Sequence, residues 1–268
     1  MPDDLVSDDL WARVAPLLPS RPPRRYRHPG RLPADDRAAL RGIVYVLRKG
    51  VSWWDMPAER TGCSGITAWR RLRDWTEAGV WPRLHEVLLA ELRAVGLLEM
   101  GEAAIDGSHV WALKRGAHTG PSPVDRGRTG SKHHLIVDRH GTPLAVTLTG
   151  GNRHDVTQLL PLLNAIPPVR GLRGRPRRRP RRLFADRGYD YDKYRRLRRR
   201  GITPRIARRG VAHGSGLGKT RWVVERTFAW LHQFKRLRIR YEIRANLHLA
   251  LLQLACSIIC LRRLRTAL

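Results

Sequence analysis

Acidic side chains are scarce in this chain. Its 23 aspartates and glutamates stand against 52 lysines and arginines, a formal net charge of +29. A compact chain with that balance repels itself unless a polyanion offsets the charge, so nucleic acid leads the possible partners. Cysteine is nearly absent: Cys63, Cys256 and Cys260 offer neither an even disulfide framework nor paired zinc-ligand spacing, which leaves buried thiols. No apolar run reaches membrane length. The longest, Leu247 to Leu261, is interrupted by His248, Gln253 and Ser257 and falls short of the roughly 18 residues a spanning helix needs, so it is expected to be a core helix with no membrane partner. The opening stretch MPDDLVSDDLW carries acids and lacks a basic segment followed by an apolar one. No secretory signal is therefore expected, and the expected location is cytoplasmic.

What is present is enough apolar material, 42% of 268 residues, to fill substantial cores. SDDLWARVAPLLP, from Ser7, has an acidic first turn and helical apolar spacing, ended by Pro19. The basic, proline-rich stretch 20–33 reads as a linker or arm. DDRAALRGIVYVLRKG reads as a helix stopped by Gly50, SWWDMPAERTG as a short turn of helix, and SGITAWRRLRDWTEAG as a helix with Ile66, Trp69, Leu72 and Trp75 along one side. Short connections between such helices suggest a helix-turn-helix unit with Thr67, Arg70, Arg71 and Asp74 facing outward and Arg70 and Arg71 touching DNA. A small helical bundle with a solvated charged face is the plainer alternative. A further helix, PRLHEVLLAELRAVG, ends at Gly96.

There the character changes. Strand signals occupy Ala103 to Ala112, His133 to Val137 and Pro143 to Thr149, the last two joined by DRHG, which has hairpin chemistry. A helix in DVTQLLPLLNAI precedes an arginine tract, VRGLRGRPRRRPRR, and a short strand, LFAD. The remainder reads as helix (Asp192 to Arg200), strand (Ile202 to Ala207), helix (Arg221 to Leu237) and the apolar terminal helix. The expected class is α+β or α/β, with an all-α helix-turn-helix domain over 1–98 and a mixed-sheet domain flanked by helices over 99–268.

Within that scheme a few acids stand out. Asp106, in AAIDGSHVWAL, sits in a stretch that reads as buried strand, where a charge is costly unless a cation meets it. Asp186, in RRLFADRGYD, repeats the arrangement at the end of a short apolar strand, where open sheets place their chemistry. In RWVVERTFAWLHQFKRL, Val224, Phe228 and Leu231 form one apolar flank and Val223, Trp230 and Phe234 another, while Arg221, Glu225 and His232 share the polar stripe between them. An Arg221–Glu225 pair supporting the helix is compatible with this. Two strand aspartates and a helix glutamate can converge on a pair of divalent cations, Mg²⁺ or Mn²⁺, which relieve the repulsion of three like charges.

IDGSHV, GNRHD, FADRGYD and RWVVERTFAWLHQFKRLRIRYE are similar, in order, to motifs of the DDE insertion-sequence transposases of the "IS five" family, and the resemblance covers nearly the whole chain. It implies a ribonuclease H-like catalytic domain with Asp106, Asp186 and Glu225 as catalytic, metal-binding triad. It also implies binding of double-stranded DNA at an element's terminal inverted repeats, cleavage there, strand transfer into target DNA, a dimer on paired ends, and a bacterial, nucleoid-associated setting. The family pattern around the glutamate has a tyrosine, an arginine and a later lysine. Arg221 fits, while Gly218 stands where the tyrosine falls and His232 where the lysine falls. His232 is cationic only part of the time near neutral pH.

Other signals are weaker. HGSGLGKT, His213 to Thr220, lacks the first glycine of a phosphate-binding loop and reads as a flexible connection. Lys132 precedes a strand and can touch phosphate; a solvated strand end is the alternative. Asp155 reads as the cap of the following helix, with a part in shaping the active site as the alternative, and Asp190 and Asp192 as caps of the next one. Arg177, Arg178 and Arg179, in the tract entering the Asp186 strand, are expected to follow DNA backbone. Two rivals remain: a metal-dependent endonuclease without strand transfer, and a DNA-binding regulator whose acids are structural.

Overall fold

The computed structural model describes residues 5–21, 26–27, 32–191, 196–210 and 218–266. The N-terminal region is helical, and each helix begins where the sequence supplies a cap. Helix α1 (Asp8–Val14) is capped by Ser7, whose Oγ accepts from the Leu10 N–H, and α2 (Asp36–Lys49) by Asp35, which accepts from Ala38 N–H. Gly50 ends α2 at φ 73°, a left-handed position that favours glycine. A single turn, α3 (Ala58–Thr61), leads to α4 (Gly65–Glu77), capped by Ser64. Helices α2 and α4 pack closely because Gly42 has no side chain: a Cβ there stands 2.9 Å from the Cβ of Ala68. Helix α5 (Val80–Ala94) buries Leu84, Leu88 and Leu92.

A mixed sheet with helices follows, consistent with a ribonuclease H-like fold. Strands β1 (Glu102–Ala112), β3 (Thr129–Asp138) and β4 (Pro143–Gly150) form an antiparallel set. β5 (Arg182–Ala185) adds parallel to β1, and β6 (Thr203–Ile206) parallel to β5, giving the order β4-β3-β1-β5-β6. Two short strands extend this sheet. β2 (Gly120–Pro121) pairs with the start of β3, and β7 (Ile239–Arg240) with the end of β1. Helix α6 (Leu159–Ala165) packs on β3 and β4, and α7 (Gly218–His232) on β1, β3 and β5. The last helix, α8 (Ala245–Arg265), packs on β4 and returns to α4 and α5, so the helical region and the sheet share one core.

Several expectations need correction. α8 is longer than its apolar run suggested, and at 21 residues its length and composition suffice to cross a membrane; the sequence argument from length therefore fails. Its most apolar window is 78% buried within the protein, as a core helix is. The expected helix to Leu237 stops at His232 and is followed by a separate 3-10 turn, Lys235–Leu237. Of the expected Asp192–Arg200 helix, 192–195 lie outside the described residues and Arg196–Arg200 is 3-10. Asp192 and most of the His213–Thr220 connection also lie outside them. Asp190 accepts from the Arg209 N–H at 2.8 Å, and the start of the helix it was expected to cap lies outside the described residues.

Candidate active site

The parallel pairing of β1 with β5 ends at Ala104 and Phe184. Asp106 and Asp186 each lie two residues further on, Asp106 still within β1 and Asp186 just past the end of β5. Beyond this point β1 has no described strand on its β5 side until Trp111 meets β7, so Asp106 lies beside a gap in the sheet. Its Oδ1 accepts the backbone N–H of Gly107 at 2.8 Å. Asp186 Oδ1 accepts that of Gly188 at 2.8 Å, fixing the turn Arg187–Tyr189. Glycine follows each aspartate closely in sequence, and in both places its N–H orients the carboxylate.

Helix α7 lies against these strands and brings Arg221 and Glu225 to them. Arg221 Nη2 is 3.7 Å from Asp106 Oδ2 and 4.0 Å from Glu225 Oε1, so both acids lie around one guanidinium nitrogen. Their environments differ. The Asp106 side chain is 23% exposed and that of Glu225 65%. Burial, together with the charges of Asp186 and Asp155, pushes the Asp106 pKa up to about 6 against the opposing effects of the Gly107 N–H and Arg221. Among the described residues, no group of three or more histidine, cysteine, aspartate or glutamate side chains is closed tightly enough to hold a metal ion; Glu225 projects outward.

Three further groups lie here; sequence reasoning missed two of them and took the third, Asp155, chiefly as a helix cap. Asp155 does not cap a helix: it lies in the 3-10 turn Asp155–Gln158, 3.1 Å from Lys132 Nζ and 3.7 Å from His134 Nδ1. Tyr189 is 1% exposed with its hydroxyl unpartnered; burial and the charges of Asp106, Asp155 and Asp186 drive its pKa well up. His134 is buried, its Nε2 against Thr149 Oγ1 at 2.7 Å and its Nδ1 unpartnered. Burial lowers its pKa to about 4, against the pull of Asp155. Nothing in the linear pattern marks these residues, except that Tyr189 and Asp155 fall within FADRGYD and GNRHD.

The basic residues divide into two sets. Lys132 is 14% exposed and donates to the Arg153 carbonyl as well as pairing with Asp155, so it braces the site in this state. Arg71 does not point outward as the helical pattern implied: it is held by Asp36 of α2 at 3.1 Å, while Arg70 is exposed. Burial, with Arg238 nearby, lowers the His232 pKa, which favours the neutral ring. Arg177, Arg178 and Arg179 are exposed. With Arg170, Arg175 and Arg181 they line a groove of about 770 Å³, and no described carboxylate is ion-paired with any of the six. The tract is ordered by a bridge between Val169 and Arg177, and the Arg93 side chain from α5 donates to the Val169 carbonyl.

Behind the site lies a buried polar chain. His133 Nε2 meets His248 Nε2 at 2.8 Å, His248 Nδ1 faces Glu242 Oε2 at 3.4 Å, and Arg236 donates twice to Glu242 Oε1 and once to the Val51 carbonyl. Burial and the positive charge of its neighbours hold the His133 pKa well down, which favours its neutral ring. This chain ties β3, the strand beside Asp106, to the end of α2.

Comparison with known proteins agrees with the geometry. Residues 99–260 match the family described as "Transposase DDE domain", and residues 6–85 match one described as "Putative transposase of IS4/5 family". Two relatives come from Burkholderia cepacia. One, named "Putative transposase for insertion sequence element IS402", is 65% identical over 150 residues, covering 56% of this chain and 71% of the relative. The other, "Insertion element IS402 uncharacterized 16.2 kDa protein", is 50% identical over 123 residues, covering 46% and 84%.

Proposed function

Because the chain belongs to the DDE transposases of the IS4/IS5 kind, we propose that it binds the terminal inverted repeats of an insertion sequence and catalyses metal-dependent cleavage and strand transfer there. The observation that carries this reading is that Asp106 and Asp186 each follow the last paired residues of neighbouring strands by two positions, with Arg221 linking Asp106 to Glu225 on α7. The half-buried Asp106 carboxylate, with its pKa raised to about 6 by burial and by the charges of Asp186 and Asp155, fits a site built for divalent cations. Asp106, Asp186 and Glu225 would hold Mg²⁺ or Mn²⁺. When bound, such ions supply activation of the attacking oxygen and stabilisation of the leaving one.

The chain's own side chains do the rest. Glu225 reaches the strand aspartates by a side-chain rotation of an exposed residue, and Arg221, released from Asp106, can pair with the terminal phosphate. The arginine groove follows the DNA backbone, and Arg70 lies on the exposed side of α4 toward the element end. The 1–98 and 99–268 regions would act as DNA-recognition and catalytic parts, with two copies pairing two ends in the bacterial cytoplasm.

The test uses the full chain, DNA carrying an element end, a target plasmid and Mg²⁺ or Mn²⁺. Joined end-to-target product supports transposition. Nicked or cut ends without joined product leave a hydrolytic endonuclease, and metal-independent binding with no cutting at any metal concentration leaves a regulator.

A further inference from the structure

Asp155 approaches the centre from the other face of the sheet. Successive strand residues point to opposite faces, so Gly107 faces away from the side taken by Asp106. A Cβ at Gly107 would stand 2.7 Å from Asp155 Oδ1 and 3.3 Å from His134 Nδ1. The missing side chain therefore lets the Asp155 carboxylate press against the backbone next to Asp106. This happens beside the stretch of β1 between Ala104 and Trp111, where no described strand covers its β5 side and groups from both faces can reach one space. The hydrogen bond from Gly107 N–H holds Asp106 Oδ1 close to the strand backbone there.

Two buried side chains nearby each leave one polar atom without a hydrogen-bond partner. His134, whose side chain is 0% exposed, directs Nδ1 toward Asp155, and the Tyr189 hydroxyl is enclosed near all three aspartates. Such orphaned polar atoms are costly unless the working state satisfies them.

We propose that Asp155 is a fourth acid ligand of the divalent-cation centre, reached from the face opposite α7 through the opening beside Gly107, a step that rests on the metal-dependent reading above. The Lys132 ammonium neutralises Asp155 in this structure and is displaced toward DNA phosphate as the carboxylate turns to the ion. Oxygen ligands of this kind suit Mg²⁺ and Mn²⁺.

The experiment is Mn²⁺ titration of the full chain by calorimetry and electron paramagnetic resonance, with circular dichroism and DNA affinity measured alongside. Asp155→Asn is expected to weaken Mn²⁺ binding more than about tenfold while secondary structure and DNA affinity stay as in the wild type. Lys132→Met, which keeps the carboxylate, is expected not to weaken it. Asp155→Cys is expected to shift preference toward the softer Cd²⁺, and it carries the test if Asp155→Asn does not fold. Wild-type Mn²⁺ affinity in Asp155→Asn, with loss in Asp106→Asn, overturns the role of Asp155 and leaves the metal-dependent reading standing. Wild-type affinity in both overturns both, and equal loss in Asp155→Asn and Lys132→Met reduces Asp155 to a partner for lysine.

Discussion

Asp106 on β1 and Asp186, just past the end of β5, each lie two residues beyond the Ala104–Phe184 pair, and each is held by a glycine N–H. Backbone pairing and a glycine N–H hold each in place, so exchanging either for its amide keeps the shape and removes the charge. Asp106→Asn, Asp186→Asn and Glu225→Gln are each expected to lower end cleavage more than about 100-fold. DNA affinity, read by electrophoretic shift, should change little. Normal cleavage by any one variant would remove that residue from the triad.

The Asp106 pKa has a consequence for stability. At about 6 it lies above the ordinary 3.8, so between these values the folded chain holds more protons than the unfolded one, and stability falls as pH rises through that window. Above pH 6 the ionised, desolvated carboxylate costs about 3 kcal/mol. Thermal melts of metal-free Asp106→Asn are therefore expected to exceed wild type at pH 8 and to converge with it near pH 4. Added Mn²⁺ should raise the wild-type melting temperature at pH 8 and leave Asp106→Asn almost unmoved. A wild-type melt insensitive to pH between 4 and 7 would contradict the assigned burial.

Some of this was legible in the linear chain, and the limits have physical reasons. Asp106 and Asp186 stood out because a charge inside an apolar strand pattern is expensive wherever the strand lies. Caps such as Ser7, Asp35 and Ser64 act on N–H groups three residues away, so local pattern suffices. Asp155 was legible mainly as a helix cap: its place against Gly107 depends on the β3–β4 hairpin folding back, and locally it looks like any acid before a helix. Arg71 failed for the same reason, since its partner Asp36 lies on another helix. The two-residue strands β2 and β7 have no periodicity to detect and exist through their neighbours' free edges.

The arginine groove makes a prediction about salt. Arg177, Arg178 and Arg179 line it, exposed, and arginine–phosphate pairing carries affinity without reading sequence. Alanine at all three should weaken binding to element-end and unrelated DNA alike, and each phosphate deprived of its arginine should reduce the slope of log affinity against log salt by about 0.9. Fluorescence anisotropy over a salt series measures this. Loss confined to the element end would mean that the groove reads sequence instead.

Glu242 is the acid on which the buried chain behind the site depends. Its side chain is 3% exposed, and it receives two hydrogen bonds from Arg236, itself 6% exposed and bonded to Val51 beyond the end of α2. Burial raises the Glu242 pKa, but the His248 hydrogen bond and the Arg236 charge outweigh it, so the net shift is downward from 4.5. Its contribution to stability is thus present above the unfolded-state value and is lost as pH falls through the folded one. Glu242→Gln strands the Arg236 charge in the interior and should cost about 3–5 kcal/mol at pH 7 by denaturant unfolding. Part of that gap should close in acid, where the wild type loses the same charge. If the variant unfolds like wild type at pH 7, the link from β3 to α2 does not run through Glu242, and the strand beside Asp106 is held by its sheet pairing and apolar packing.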